Sequence, residues 1–225
     1  MGRDLEFIYV GDPMCSWCWG FAPVLERMTE VYEIPIRVVV GGLRPGPDAN
    51  ELDEALARTL AHHWEQVAHA SGQPFDHTFL ERRDGWVYDT EVPAIAVVTM
   101  RQLQPESTLD FHTRLQQEFY AQAVDITDRA VYPALLEGFD VDRDDFLSRF
   151  SSEEARASAW HDFAEARSYG ASGFPTLLVR DGDEYGIVTR GYLSTERLLP
   201  VLSDWLLDRY VDDGEALFCE PGTVC

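Results

Sequence analysis

Apolar positions along the chain follow two different periods, and the changeovers mark its organisation. Residues 5–10 are almost continuously apolar, with Phe7, Ile8, Tyr9 and Val10 in succession, the pattern of a buried strand. A helix-like stretch over 22–31 follows, in which Phe21, Val24, Leu25 and Met28 recur at helical spacing. Residues 34–40 are β-branched and strand-like, and Gly41-Gly42 stops them. Strand, helix and strand at this separation predict a βαβ unit with parallel strands. From about residue 50 to 167 the period is mostly helical. Helices are expected over 52–70, with Leu56, Leu60, Trp64 and Val67 on one face, and over 93–103, 109–121, 129–137 and 144–168. The Asp125-Ile126-Thr127-Asp128 run supplies N-caps. Strand character returns at 176–179 and 185–189, around a hairpin turn at Asp181-Gly182-Asp183. A last helix over 195–210 carries Leu198, Leu199, Leu202, Trp205 and Leu206.

This order predicts an α/β chain with one sheet interrupted by helices. The expected parts are 1–48, a helical insertion over 49–168, a returning ββα part over 169–212, and an acidic tail over 213–225. Two sequential, independent domains fit poorly, because the first two strands alone make no stable sheet.

The chemistry is concentrated in Cys15-Ser16-Trp17-Cys18, between the first strand and its helix. Cysteines three apart on a first helical turn place both sulfurs on one face, within bonding reach of each other. Unpaired N–H groups at the helix start favour thiolate over thiol, so Cys15 is the expected nucleophile and Cys18 the resolving thiol. Cys-x2-Cys is also the commonest zinc spacing. The strand-to-helix position, with Trp17 and Trp19 around the pair, favours redox chemistry over half a zinc site.

Gly173-Phe174-Pro175-Thr176 stands just before the returning strand. Paired with the cysteine motif, it leads us to expect a cis Phe174-Pro175 bond facing the dithiol. Here the residues resemble a known family. The chain is similar to DsbA-like thioredoxin-fold oxidoreductases, nearest their FrnE-type, protein-disulfide-isomerase branch, through Asp-Pro-Met-Cys-Ser-Trp-Cys-Trp-Gly-Phe from Asp12 to Phe21. The proline loop matches the family's cis-proline loop, and Asp125-Ile126, Leu135-Leu136 and Gly138-Phe139-Asp140 resemble its insertion more weakly. The resemblance implies a thioredoxin-like fold with a helical insertion, and thiol–disulfide exchange through Cys15 and Cys18 without a cofactor. It also implies substrate contacts at Phe174 and Pro175; Phe174 departs from the Val or Thr of many relatives. Relatives with the same insertion use glutathione for isomerase or transferase chemistry, but those typically replace the Cys15 position by Ser and lose the second cysteine. A redox-switched adaptor without turnover is the third class.

Other candidates are weaker. Cys219 and Cys225 flank a Glu220-Pro221-Gly222 turn, so they read either as an auxiliary redox pair or as two unremarkable thiols. Joining both pairs on zinc would lock the nucleophile into a closed site. His62 and His63 are adjacent on a helix and face apart; His69, His77, His112 and His161 are scattered, and no metal is expected. Glu6 or Asp12 is a candidate proton acceptor for Cys18. Trp19 and Phe21 read as core, leaving Trp17 as the apolar lip for a substrate chain.

Composition adds limits. Hydrophobic residues are 45% of 225, enough for a packed core. Forty acidic against 18 basic residues, every one of them Arg, give a net charge of −22, a poor surface for nucleic acid or anionic membranes. Such an excess of carboxylates suggests a salt-rich working medium. No apolar run approaches the ~20 residues of a membrane span, and the N-terminus has no signal-peptide pattern. A cytoplasmic setting follows, with partners expected among protein or small-molecule thiols and disulfides, glutathione, or a thioredoxin-type reductant.

Overall fold

The computed structural model describes residues 5–82 and 85–211. Strand β1 (Leu5–Gly11) runs into helix α1 (Ser16–Val31) and back through β2 (Ile36–Val40), parallel to β1. The chain then forms α2 (Glu54–Ser71), α3 (Glu91–Leu103), α4 (Thr108–Ala121), a single turn α5 (Tyr132–Leu135), α6 (Arg143–Phe150) and α7 (Glu153–Ser168). It returns as the hairpin β5 (Thr176–Asp181) and β6 (Glu184–Arg190), then closes with α8 (Thr195–Val211). Strand order is β2-β1-β5-β6, with β5 antiparallel to both neighbours. This is a thioredoxin-like sheet with helices inserted between its second and third strands. Two-residue strands β3 (Asn50–Glu51) and β4 (Val87–Tyr88) pair within that helical region, too short to leave a period in the sequence.

Alternation along β1 divides the core. Leu5, Phe7 and Tyr9 join Val38, Val40, Leu177 and Val179 on the face that packs α1 and α8. Ile8 and Val10 join Val39 and Leu178 against Ala166 of α7 and Ala171 beyond it. Residues of the inserted helices, among them Phe111, Phe146 and Phe163, belong to the same continuous core as Phe7 and Tyr9.

One expected helix is two. The stretch 144–168 breaks at Ser151-Ser152, because the Ser152 hydroxyl accepts the Ala155 N–H and starts a new helix. The segment 129–137 is a 3-10 turn and α5 rather than one helix, with Pro133 in its first turn.

Two features fix the insertion to the sheet. Pro23, inside α1, has no N–H for the Trp19 carbonyl four residues back, and the Gln73 side-chain amide donates to that carbonyl instead, at 3.1 Å. The outer edge of β2 is covered as well. Arg101 donates to the Val38 carbonyl at 2.7 Å, and Asp162 accepts the Val40 N–H at 3.0 Å. Arg101 and Asp162 also form a two-pronged ion pair at 2.7 and 2.8 Å, so the edge offers no open ladder at these groups.

Candidate active site

Cys15 is the N-cap of α1. Its carbonyl accepts the N–H groups of Cys18 and Trp19 at 3.0 and 3.1 Å, and its own N–H donates to the Asp12 carbonyl at 3.1 Å. Both cysteines are free thiols; Cys15 keeps 7% exposure, whereas Cys18 is sealed behind it at 0%. The Phe174–Pro175 bond is cis, and the Cys15 sulfur lies 3.6 Å from the Phe174 carbonyl oxygen. The fold therefore brings Cys15, Cys18, Phe174 and Pro175 together. Among the described residues, no group of three or more His, Cys, Asp or Glu side chains is arranged to hold a metal. Cys219 and Cys225 lie outside the described residues.

The Phe174 side chain has a seat of its own. A Cβ placed on Gly41 would come within 2.2 Å of the Phe174 ring, so the bare glycine lets the ring lie across the end of β2. Its backbone carbonyl, rather than its ring, faces Cys15. Trp17 is half-buried and tilted against Tyr192 with centroids 5.5 Å apart, while Trp19 and Phe21 are buried. Tyr192 was not legible as a neighbour of Trp17, because it arrives from the β6–α8 loop.

Asp12 is wholly buried and serves as a clamp. Its carboxylate accepts the Met14 N–H at 2.9 Å and the Leu43 N–H at 2.8 Å, tying the motif's loop to the chain beyond β2. Burial pushes its carboxyl up to about 6 against the pull of these bonds. Tyr88 of β4 donates to the Met14 carbonyl, so the insertion also holds this loop.

Glu6, expected as a possible partner of Cys18, is not one. It shares a face of β1 with Ile8 and Val10, away from α1, and pairs with Arg180 at 3.1 Å and Arg37 at 3.5 Å. Tyr9 occupies the place beneath the dithiol instead. It is fully buried, and its phenol stacks on Phe21 and meets the edge of His112 at 5.5 Å. Burial, first, and the neighbouring Cys15 push the Cys18 thiol up, against a smaller pull from the Asp12 backbone. His112 is buried with neither ring nitrogen hydrogen-bonded among the described residues, and burial pushes it down to about 3, so it is neutral at physiological pH.

A dithiol at the start of a helix that follows a sheet strand, faced by a cis-proline loop on a thioredoxin-like sheet, defines the class of thioredoxin-fold dithiol proteins. Within that class, the chain belongs to the DSBA-like thioredoxin domain family, whose model matches residues 8–198. Its structure is similar to that of a candidate protein disulfide isomerase from Nitrosomonas europaea, with a TM-score of 0.82 at 32% identity, covering 91% of this chain and 98% of that one. It is also similar to the cytosolic disulfide reductase DsbM from Pseudomonas aeruginosa, with a TM-score of 0.73 at 25% identity, over 94% and 100% of the two chains. That reductase has also been solved with GSH. In sequence, the ClpXP adapter protein SpxH of Halalkalibacterium halodurans is 22% identical over 91% of this chain and 68% of its own length.

Proposed function

We propose that this protein is a dithiol–disulfide oxidoreductase acting on protein disulfides. The carrying observation is the asymmetric pair: Cys15 at the helix N-cap beside the Phe174 carbonyl keeps 7% exposure, whereas Cys18, three residues on, keeps none. Cys15 thiolate attacks a substrate disulfide, forming one mixed disulfide and releasing one substrate thiol. Cys18 then gives up its proton and attacks the Cys15 sulfur; the Cys15–substrate bond breaks and the second substrate sulfur leaves as a thiol. Two electrons pass to the substrate, and the Cys15–Cys18 disulfide remains to be reduced by another thiol. Run backwards, the same steps oxidise a dithiol. Trp17, Phe174 and Pro175 are proposed to receive the substrate chain.

The similarity to the Pseudomonas reductase supports a reducing, cytoplasmic role with glutathione as one electron donor. Among the described residues, no helix is long and apolar enough to cross a membrane. Cys219 and Cys225 are proposed as an auxiliary redox pair, and the charge of −22 as an adaptation to a salt-rich medium.

Multiple-turnover reduction of insulin with glutathione as donor tests the reading. Cys15→Ser should abolish turnover, and Cys18→Ser should accumulate mixed disulfides. Stoichiometric binding of a partner with no turnover would favour the second reading, an adaptor, which the similarity to SpxH supports. Conjugation or isomerisation of a small substrate with glutathione would point to the transferase class.

A further inference from the structure

Arginines at several points of the fold are spent on carboxylates: Arg37 on Glu165, Arg82 on Asp125, Arg101 on Asp162 and Arg156 on Glu91. Arg44, in the loop beyond β2, is not. Among the described residues its guanidinium makes neither an ion pair nor a hydrogen bond; it lies over the Tyr88 ring, 5.4 Å from the centroid. Arg44 is only partly buried, so a solute can reach it.

This loop is fastened to the dithiol motif. The Leu43 N–H donates to the Asp12 carboxylate at 2.8 Å, and the same carboxylate accepts the Met14 N–H at 2.9 Å. The Tyr88 hydroxyl donates to the Met14 carbonyl, one residue before Cys15. Gly41, three residues before Arg44, seats the ring of Phe174, whose carbonyl oxygen lies 3.6 Å from the Cys15 sulfur. The Arg44 backbone itself is clamped on Thr90, whose hydroxyl accepts its N–H and whose N–H donates to its carbonyl, both at 3.1 Å.

The carboxylates bonded into this corner are committed elsewhere. Asp12 holds Met14 and Leu43, Asp89 accepts the N–H groups of Gly46 and Glu91, and Glu91 accepts from Arg156 and Trp160. A guanidinium lying over an aromatic ring, with its N–H fork uncommitted, suits a carboxylate, which it binds through two parallel hydrogen bonds. The net charge of −22 repels an anionic thiol from the surface at large, so a cation without a local partner gives such a thiol a preferred approach.

We propose that Arg44 binds a carboxylate of glutathione while the glutathione sulfur reacts at Cys15. The proposal rests on the exchange reading above and on glutathione as its donor. Glutathione carries its thiol on the middle of three residues and a carboxylate at each end. A first glutathione thiolate attacks the Cys15 sulfur of the oxidised pair; the Cys15–Cys18 bond breaks, and Cys18 leaves and takes up the proton the glutathione lost. A second glutathione thiolate attacks the glutathione sulfur of the mixed disulfide, and Cys15 leaves as thiolate. Two glutathiones give up two electrons and become one glutathione disulfide, and the protein disulfide becomes two thiols.

The test uses the full chain with Cys219 and Cys225 changed to Ser, oxidised at Cys15–Cys18 and mixed with one thiol at a time. The return of the two protein thiols is timed by alkylation and mass spectrometry. Arg44→Gln should slow reduction by glutathione about five- to tenfold, the weight of one charge-assisted pair, and leave reduction by neutral 2-mercaptoethanol within about twofold. Arg44→Glu should slow glutathione further and speed cationic cysteamine about threefold over the parent. Equal slowing with glutathione and 2-mercaptoethanol would overturn the proposal, because Arg44 would then serve the loop alone. Unchanged rates with glutathione, or no gain with cysteamine, would overturn it as well. Insulin turnover driven by neutral dithiothreitol separates the other source of a carboxylate. A loss there in Arg44→Gln, with glutathione rates kept, would give Arg44 to the protein substrate and overturn the assignment. A parent protein that turns over insulin with none of these thiols would instead remove the exchange reading itself.

Discussion

Phe174 rests its ring on Gly41, and this contact points its carbonyl at the Cys15 sulfur. The two residues come from opposite ends of the sequence, on either side of the helical insertion, and meet where the ends of β2 and the proline loop converge. A methyl group on Gly41 has no space without displacing the ring. Gly41→Ala should therefore cost about 1–3 kcal/mol as an overpacking change. It should also lower insulin reduction more than reduction of a small aromatic disulfide. Parallel urea melts and the two rate assays check this, and equal loss on both substrates would show that the ring's seat does not bear on substrate handling.

Trp17 and Tyr192 form a half-buried aromatic pair next to the dithiol motif. If that surface receives polypeptide, Trp17→Ala should raise KM for disulfide-bonded protein substrates several-fold while leaving the rate with small disulfides within about twofold. A KM unchanged for insulin would remove Trp17 from the substrate site.

The Arg101–Asp162 pair closes the edge of β2. Asp162 is 2% exposed, so Asp162→Ala leaves a partly buried guanidinium and the Val40 N–H without their acceptor. The expected loss is about 3 kcal/mol in denaturant unfolding, with increased association of the uncovered edge. A loss under about 1 kcal/mol would show that water replaces the carboxylate readily.

Two buried groups give the stability opposite pH slopes. His112 is held down to about 3, below its unfolded value, so its contribution is present above about pH 6.5 and is lost as pH falls; going from pH 7 to 5 costs about 2 kcal/mol. Asp12 is raised to about 6, so its contribution is present at low pH and is lost as pH rises through that value; the same pH change returns about 1 kcal/mol. Unfolding free energies at pH 7 and 5 should show His112→Leu gaining on acidification and Asp12→Asn losing more than the parent. Parallel slopes in all three proteins would contradict both assignments.

The charge of −22 predicts that the melting temperature rises from dilute buffer to molar salt as self-repulsion is screened. A midpoint that stays flat or falls would remove the proposed adaptation to salt.

Local pattern determined much of this protein. Short continuous apolar runs and helical periods marked the sheet strands and most helices, because burial on one or both faces writes itself into neighbouring positions. The dithiol was legible because its chemistry needs two cysteines three residues apart, and the proline loop because its residues are contiguous. Two-residue β3 and β4 left no period to read, and the break at Ser152 was hidden by apolar positions continuing on both sides.

Tertiary structure decided what stands around the dithiol. Which side chain lies beneath Cys18 depends on the face that β1 turns to α1, and a strand buried on both sides presents no polar alternation to reveal it; Tyr9 won that place over Glu6. Gly41 as a seat for Phe174, Tyr192 beside Trp17, and Arg101 with Asp162 over the β2 edge all join residues far apart in the chain. Their meeting is fixed by how helices and sheet pack, and no local sequence period carries that information.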